Sequence, residues 1–498
     1  MRLNRTRMSH AQVRTNATAV LATSIACVAA FKGLNESVTP PALPVLQEEF
    51  QAPASTIAWV LTGVLLTGTI ATPIVSRLGE VWDKRRALLV VLTIVTLGTL
   101  TSALSSSISM LIAGQLLQGI GLSTVPLAIG IIRDTQTESR TKSANGFMVA
   151  AIFASTAAGT MIAGPIADYL SYRWLFWVPF VALTLCFVAV WVFVPRSPRL
   201  RSGERPSLDV VGSLLLAAGL ACVLLALTFA PQWGWLSPKF VLLTAAGLLG
   251  LLLFIRRELT VDQPLVDIRL MGSLTVVAAS GMMFLAGFSI NATLISVPLQ
   301  MQLPDSVSHG LGRSATATSL VLVSAMLMGL TAPLISFLDR KVGPRFASAI
   351  GPIAIMFGAA IMIGLGERGS IVTILAAALF VNFGISVSMT QSLNLVVSGV
   401  PAEKVTEFNG LNFAIQAVAG TIGAQVCGAV LTGGSGDDGA TLPWSAFSTS
   451  WAVQAVIATI ALLLVLAART RPRTSQGPAP VLPREAARDA TSITPSEN

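Results

Sequence analysis

Residues 87–106 read ALLVVLTIVTLGTLTSALSS, twenty residues without one charged side chain. A helix of about 20 apolar residues spans the hydrocarbon core of a bilayer, so this segment predicts a transmembrane helix. The pattern recurs along the chain in fourteen apolar stretches. Charged residues make up 11% of the 498 residues, against about 25% in soluble domains, and the mean hydropathy is +0.75. We therefore expect an all-α polytopic membrane protein.

The predicted helices are joined by short loops, so neighbouring helices run antiparallel. Their spans are 16–43, 55–76, 87–106, 109–131, 146–167, 174–195, 209–230, 239–256, 275–299, 314–336, 346–365, 370–397, 408–432 and 447–468. Residues 1–15 and 469–498 form polar tails, and the second has the composition of a disordered segment. The first apolar stretch is too long for a signal peptide and lacks an A-x-A-like cleavage site, which favours a retained helix.

The basic residues predict on which side of the membrane each loop lies. With residue 1 in the cytoplasm, 27 of the 32 lysines and arginines fall on the cytoplasmic side, four fall outside, and Lys32 lies within helix one. This distribution follows the positive-inside rule and predicts that both termini are cytoplasmic. Topology therefore accounts for the net charge of +9, and nucleic acid is not an expected partner.

The residues that carry enzyme and metal chemistry are scarce. The four cysteines fall in apolar segments without a C-x-x-C pair, and the two histidines, His10 and His309, lack metal-ligand spacing. The chain has no phosphate-binding loop of the G-x-x-x-x-G-K type, no H-E-x-x-H and no G-x-S-x-G. We expect no metal, no cofactor and no enzymatic activity, so any uphill transport would use an ion gradient or a partner protein.

Two loops suggest an internal repeat. Residues 72–85 read TPIVSRLGEVWDKR, and residues 332–345 read APLISFLDRKVGPR. The matched residues share one offset of 260, and they are Pro73 and Pro333, Ser76 and Ser336, Leu78 and Leu338, Arg85 and Arg345. Both loops are predicted on the same side, which indicates parallel repeats of the kind found in transporters with two six-helix halves.

Five segments carry a family resemblance. They are SRLGEVWDKRR (Ser76–Arg86), LIAGQLLQGIG (Leu111–Gly121), Gly164-Pro165, YRWLFWVP (Tyr172–Pro179) and QPLVDIRL (Gln263–Leu270). With these motifs the chain resembles the fourteen-helix drug:proton antiporter branch of the major facilitator superfamily. The resemblance implies two six-helix bundles, 16–195 and 257–468. The segment 196–256 between them would hold a linker and an inserted hairpin of helices seven and eight.

The resemblance also implies a function. The expected activity is export of a drug, antibiotic or secondary metabolite across a bacterial cytoplasmic membrane by proton antiport with alternating access. The expected partners are the small-molecule substrate, protons and the bilayer, and the expected state is a monomer. Two coupling positions depart from the family pattern: the family Asp of helix one aligns with Asn35, and the family Arg of helix four is Gln115.

Glu36 is the acidic residue predicted well inside a helix, and Lys32 lies four residues before it. Charges inside a bilayer are costly and usually functional. Lys32, Asn35, Glu36 and Thr39 would form one polar stripe on an α-helix. One interpretation is a neutralised pair that fixes helix one. The other is a cavity site in which Glu36 alternates between a Lys32-paired carboxylate and a protonated form, in competition with substrate.

Amides are the other polar groups predicted in the membrane. The cavity candidates beside Asn35 are Gln115, Gln118, Asn291 and Gln416, and further amides are Asn382, Gln391, Asn394 and Asn412. They either join helices by hydrogen bonds or line a polar path. Such a path suits a neutral, zwitterionic or anionic substrate at least as well as a lipophilic cation.

Three further groups are candidates for gating or packing. The loop residues Arg77, Gly79, Glu80, Lys84, Arg85 and Arg86 either set the topology or form a latch, with Arg77 and Glu80 paired across helix ends. In helix five, Gly159, Gly164 and Pro165 predict close packing and a bend. Asp168 and Arg173 are a candidate outer ion pair.

Two other functions stay open at this stage. The altered coupling positions allow an importer or exchanger of a small metabolite without standard proton coupling. They also allow a membrane-embedded sensor or a lipid-handling protein built on a transporter scaffold.

Overall fold

A computed structural model describes residues 18–39, 46, 49–52, 56, 59–195, 209–234, 236–261, 264, 268–303, 310–313, 315–368, 370–401, 404–433 and 443–468. The structure of this part is helical, as the apolar segments predict. The predicted tails, 1–15 and 469–498, and most of the linker lie outside the described residues.

The helices are numbered in chain order. Those of the first half are α1 (18–36), α2 (Trp59–Val81), α3 (Lys84–Ala103), α4 (Ile108–Thr135), α5 (Glu138–Tyr169) and α6 (Trp174–Phe193). Next come α7 (Val210–Trp233) and α8 (Pro238–Glu258). Those of the second half are α9 (Leu274–Gln302), α10 (315–342), α11 (Pro344–Leu365), α12 (Ile371–Gly399), α13 (Val405–Gly433) and α14 (Trp444–Ala467). Short 3₁₀ turns, Ile120–Ser123 and Leu327–Thr331, interrupt α4 and α10.

Among the described residues, twelve helices are long and apolar enough to cross a bilayer by length and composition. The helices α2 and α13 are not among these twelve. The prediction for helix one is wrong at its end: it extends to 43 in the sequence pattern, but the helix ends at Glu36. Pro40 and Pro41 follow closely, and prolines supply no N–H for further helical hydrogen bonds.

The helices contact one another in two groups. Contacts among α1–α6 form the first group and contacts among α9–α14 the second. The groups meet mainly where α2 lies against α13 and where α5 lies against α10 and α12. The helices α7 and α8 pack along each other, and α7 also contacts α2 and α13. Close packing of this pair uses glycine, since a Cβ at Gly219 would lie 2.9 Å from the Leu251 side chain.

An ion pair closes the hairpin of α7 and α8. Asp209 caps α7 by accepting the backbone N–H of Gly212 at 3.0 Å. Its carboxylate also accepts two hydrogen bonds from Arg257 of α8, at 2.8 Å from Nε and 2.9 Å from Nη2. Burial raises the pKa of Asp209, but the hydrogen bonds from Arg257 and Gly212 outweigh it and hold the pKa below its usual range.

The Arg257 pair predicts a pH-dependent stability. Removing this pair with Arg257→Gln should lower the thermal unfolding midpoint in detergent by about 2 °C at pH 7. Because the folded pKa of Asp209 lies below its unfolded value of about 3.9, the contribution is complete above that value. It disappears as the pH falls through the folded pKa, so the difference from wild type should narrow as the pH is lowered below the unfolded value.

The neighbouring exposed Arg256 supplies the matched control for this experiment. Arg256→Gln removes the same charge from the same helix end and should leave the midpoint unchanged. Equal effects of the two substitutions at every pH would contradict a specific role for the Asp209–Arg257 pair.

Candidate functional site

The end of α1 carries the charges predicted for the membrane interior. From Ala30 to Glu36 its backbone is a π-helix, in which hydrogen bonds span five residues and not four. Such segments are rare and frequently mark functional sites. Lys32 lies in this segment and is half-buried. The side chain of Glu36 lies outside the described residues, so its pairing with Lys32 stays a prediction.

The π-helical segment lies directly against α5. A Cβ at Gly159 would overlap the carbonyl oxygen of Gly33, and a Cβ at Gly33 would overlap the backbone of Ser155. The Ser37 hydroxyl donates a hydrogen bond to the same Gly33 carbonyl. The two backbones can approach this closely only because both crossing residues lack a side chain. Gly164 and Pro165 lie further along α5, and their packing is outside the described part of the structure, so the predicted bend there stays a prediction.

The polar stripe predicted on helix one is only partly present. Thr39 lies in the turn after the helix end and does not continue the stripe. Asn35 is buried, and its Oδ1 accepts a hydrogen bond from Thr99 Oγ1 of α3 at 3.0 Å. Asn35 therefore joins α1 to α3, as the helix-to-helix interpretation of the amides requires.

The two glutamines of α4 differ in their contacts. Gln118 is buried and donates from Nε2 to Ser102 Oγ at 2.8 Å and to the Gly98 carbonyl at 3.3 Å. It therefore joins α4 to α3. Gln115 is also buried, but within the described part of the chain its Nε2 has no hydrogen-bond partner. A buried amide N–H without a partner is costly, so this group is suited to a ligand or a water molecule.

The cavity candidates of the second half are half-buried. Asn291 of α9 donates to the carbonyl of Gly287 in its own helix at 3.3 Å. Gln416 of α13 lies 3.6 Å from the sulfur of Met389. The Asn291 bond lies within its own helix, and the thioether that Gln416 contacts is a weak acceptor. Both amide groups can therefore turn toward a ligand. The helices meet closely here, because a Cβ at Gly420 would touch the Asn291 amide.

The remaining amides are buried and mostly hold helices together. Asn394 of α12 accepts from Asn145 of α5 at 3.1 Å, a bond between the two groups of helices. Asn412 of α13 accepts from Ser280 of α9 at 2.8 Å. Asn382 bonds within its own helix, and Gln391 lies 3.5 Å from Ser348. These contacts favour a packing role for Asn394 and Asn412.

The region where α2 ends and α3 begins is called the basic end below. It contains two ionic contacts. Arg77 Nη1 of α2 lies 3.2 Å from Glu407 Oε2 of α13, and both side chains are largely buried. Lys84 Nζ lies 3.0 Å from Glu80 Oε2 and 2.9 Å from Asp134 Oδ2 of α4. The first contact bridges the two groups of helices, whereas the second lies within the first group.

The latch expected between Arg77 and Glu80 is replaced by these two contacts. The two residues are three apart on α2, and each finds an opposite charge on another element, so they do not form the predicted pair. Arg85 donates to the Trp191 carbonyl of α6 and lies 5.9 Å from the centre of that indole. Gly79 provides close packing, since a Cβ there would lie 2.5 Å from the Leu127 side chain.

Two close serine–glycine contacts join the two groups of helices near the basic end. A Cβ at Gly410 of α13 would overlap the Ser76 hydroxyl of α2, and a Cβ at Gly146 of α5 would lie 2.6 Å from the Ser336 hydroxyl of α10. Ser76 and Ser336 are the aligned serines of the sequence repeat. The repeat is therefore visible in matching contacts across the boundary between the two groups.

The candidate outer pair lies at the other end of α5. Arg173 is exposed, and its guanidinium lies 5.9 Å from the centre of the Tyr172 ring. The side chain of Asp168 lies outside the described residues, so the pair of Asp168 and Arg173 stays a prediction.

Sequence reasoning missed Glu407 and Asp134. Both lie near helix ends, where an acidic residue looks like an ordinary solvated group. Their importance depends on contacts with residues far away in the chain, Arg77 and Lys84. The available signal was their position: each is an acidic residue on the side of the membrane that the basic loops occupy.

Apolar helices in two contacting groups, with repeat-related contacts between them, are the arrangement expected of a transporter with two six-helix halves. The model of the Major Facilitator Superfamily matches residues 25–424. The chain belongs to this superfamily, which confirms the family predicted from the motifs. It is therefore a transporter of small molecules across a membrane and not an enzyme.

Several relatives are described as resistance proteins, and one of these also as an export protein. The chain is 27% identical over 412 residues to the lincomycin resistance protein LmrB of Listeria monocytogenes, covering 82% of this chain and 85% of that protein. It is 25% identical to the tetracenomycin C resistance and export protein of Streptomyces glaucescens (81% and 74% covered) and to the multidrug resistance protein Stp of Mycobacterium tuberculosis (84% and 76%).

Solved structures share the fold. The human organic anion transporter MFSD10 matches with a TM-score of 0.61 at 15% identity, over 91% of this chain and 99% of that chain. The proton:xylose symporter XylE matches with a TM-score of 0.62 at 14% identity, over 91% and 96%. At these identities the likeness concerns the fold alone.

The Arg77–Glu407 pair predicts how the basic end closes. Glu407→Gln leaves Arg77 buried without its charge partner, at a cost of about 3–5 kcal/mol to the closed arrangement. Nitroxide labels at the exposed positions Arg140 and Val342, in a cysteine-free background, report the separation of the two groups by electron–electron resonance. The longer-distance population should rise at least about tenfold.

Glu138→Gln is the matched control, because Glu138 pairs with Lys142 within α5 and does not bridge the groups. The charge-swapped double variant Arg77→Glu/Glu407→Arg should recover the short distance. If Glu407→Gln left the distance distribution as in wild type, the pair would not hold this end closed.

The serine–glycine contact gives an independent prediction. Gly410→Ala places a methyl group where the Ser76 hydroxyl lies, so α2 and α13 must separate. The same labels should again show a larger open population. In the control Gly428→Ala, on the same helix, the new Cβ meets nothing within 4 Å and the distances should not change. An unchanged distribution in Gly410→Ala would show that the contact yields without opening the end.

Proposed function

We propose that this protein exports a drug, antibiotic or secondary metabolite across a bacterial cytoplasmic membrane by proton antiport. The observation that carries the proposal is the likeness to resistance and export proteins over more than 80% of the chain. Alternating access is the mechanism, because the contacts between the helix groups at the basic end are of a kind that can separate.

The proposed topology has fourteen crossings and two cytoplasmic termini. The bundles are 16–195 and 257–468, and 196–256 supplies a linker and the hairpin of α7 and α8. Support comes from the 27 basic residues on one side and from helix contacts that fall into two groups. The protein acts as a monomer, with a small-molecule substrate and protons as its ligands.

In this topology the basic end faces the cytoplasm. The Arg77–Glu407 pair and the Ser76–Gly410 and Ser336–Gly146 contacts then hold the cytoplasmic side closed. The opposite state requires that these contacts separate and that water reaches Arg77 and Glu407. Since a buried ion pair is strong only while both partners are present, the closed state is sensitive to any group that displaces one of them.

The proposed coupling group is Glu36, with Lys32 as its charge partner. Both lie in the π-helical segment that is pressed against α5 through Gly33 and Gly159. A segment with unusual backbone hydrogen bonds can return to α-helix with a small change in register, which would move both charges relative to α5. Protonation of Glu36 would release Lys32, and substrate binding would favour the charged form.

A second candidate function is exchange or import of a metabolite without standard proton coupling. Two observations favour it. Asn35 stands where the family pattern has an acid and is tied to Thr99. Gln115 stands where the pattern has a cation, and its amide cannot carry a charge. If Glu36 does not titrate during transport, these residues leave the helix-one and helix-four positions without a proton carrier.

Collapse of a pH gradient in everted vesicles distinguishes the two functions. Candidate antibiotics and natural products are added to acidified vesicles that contain the wild-type protein or Glu36→Gln. Proton antiport predicts substrate-induced collapse in wild type and at least a tenfold smaller rate in Glu36→Gln. The variant should still exchange labelled substrate for unlabelled substrate, because exchange requires no net proton movement.

Glu138→Gln controls for the loss of a carboxylate at an exposed site and should behave as wild type. Movement of labelled substrate without any collapse in wild type would refute proton antiport and favour the exchanger. Collapse at the wild-type rate in Glu36→Gln would refute Glu36 as the coupling group while leaving antiport intact.

A further inference from the structure

The four basic residues of the segment Arg77–Arg86 are not equivalent. Arg77 contacts Glu407, Lys84 contacts Glu80 and Asp134, and Arg85 contacts Trp191. Arg86 is exposed and, among the residues that the structure describes, has no ion pair or side-chain hydrogen bond. Its charge is therefore available to a ligand.

Arg86 lies in a surface crevice of about 620 Å³ at the basic end. The crevice is lined by Val81, Trp82, Arg86, Leu89 and Val90. The Trp82 side chain is 59% exposed and Val90 is 45% exposed. The crevice thus combines one cation, one indole and three aliphatic side chains, at the junction of α2 and α3.

The position of this crevice identifies its environment. The candidate membrane span of α3 is Lys84–Ala103, and its uncharged part begins at Ala87. Leu89 and Val90 therefore lie about one turn into the apolar region, and Arg86 lies at its boundary. Tryptophan is enriched at membrane interfaces, and basic pockets at this level bind lipid head groups. A soluble anion would gain little from the three aliphatic walls, whereas an acyl chain would cover them.

We propose that this crevice binds an anionic phospholipid of the leaflet at the basic end. The phosphate lies on the Arg86 guanidinium, the Trp82 indole flanks the head group, and an acyl chain follows Leu89 and Val90. Val81 and Trp82 directly follow Glu80, and Arg86 lies two residues after Lys84, so the lipid lies beside the ionic contacts that organise the basic end.

Native mass spectrometry of the detergent-solubilised protein tests this site. The protein is titrated with dioleoylphosphatidylglycerol or with dioleoylphosphatidylcholine, and the dissociation constant of the first bound lipid is measured. Arg86→Gln should weaken phosphatidylglycerol binding about fivefold, the effect of one basic residue near an anionic lipid surface. The phosphatidylcholine constant should not change, and Trp82→Ala should weaken binding of both lipids.

The matched control is Arg256→Gln, an exposed arginine at the end of α8 that does not line the crevice. It should bind phosphatidylglycerol as wild type does. Equal constants for wild type and Arg86→Gln, or an equal loss in Arg256→Gln, would overturn the proposal. Displacement of the first lipid by millimolar inorganic phosphate would also overturn it, because the site would then recognise a soluble anion. Thermal unfolding midpoints of all variants verify that each is folded.

Discussion

Hydrocarbon cannot solvate a charge or a backbone polar group, so leaving either one without a partner is energetically costly. This constraint determines where the helices and the charged residues of this protein lie. Helices satisfy the backbone groups within each crossing, and charges are kept to 11% of the residues. Several buried charges that the structure describes have a partner of opposite charge: Glu407 has Arg77, Lys84 has Glu80 and Asp134, and Asp209 has Arg257. The first two sets lie at the basic end, and the Asp209–Arg257 pair lies where α7 begins and α8 ends.

In the proposed mechanism, the same cost would make the basic end a two-state element. Arg77 and Glu407 belong to different groups of helices, so they can be paired in a closed arrangement or hydrated in an open one, and an intermediate separation satisfies neither. The serine–glycine contacts behave similarly, because the backbones touch only when no side chain intervenes. A small movement at one of these contacts therefore requires movement of whole helices, which is the property that alternating access needs.

The sequence predicted the class of fold well, because a bilayer imposes helix length and composition directly. The motifs of residues 76–86 and 111–121 also predicted the family.

The partners of the buried charged side chains were harder to predict, since Glu407 is 330 residues from Arg77 and no local pattern joins them. The prediction for α1 was wrong for a different reason. The polar stripe of Lys32, Asn35, Glu36 and Thr39 assumed a regular α-helix. The backbone is instead π-helical from Ala30 to Glu36, and the helix ends there. The sequence could not separate the amides that join helices from those that could face a cavity. The structure assigns Asn35 and Gln118 to the first class, because both bond to residues of α3.

In the proposed mechanism, contact between the two helix groups closes the basic end of a polar path, and separation of the groups opens it. A cysteine at Asn291, a half-buried cavity candidate, tests this with a membrane-impermeant maleimide applied to vesicles of either orientation, in a background without native cysteines. The account predicts little labelling from the basic side in the otherwise unaltered protein and a marked increase from that side when Glu407→Gln is added. Equal labelling from the basic side with and without Glu407→Gln would contradict it.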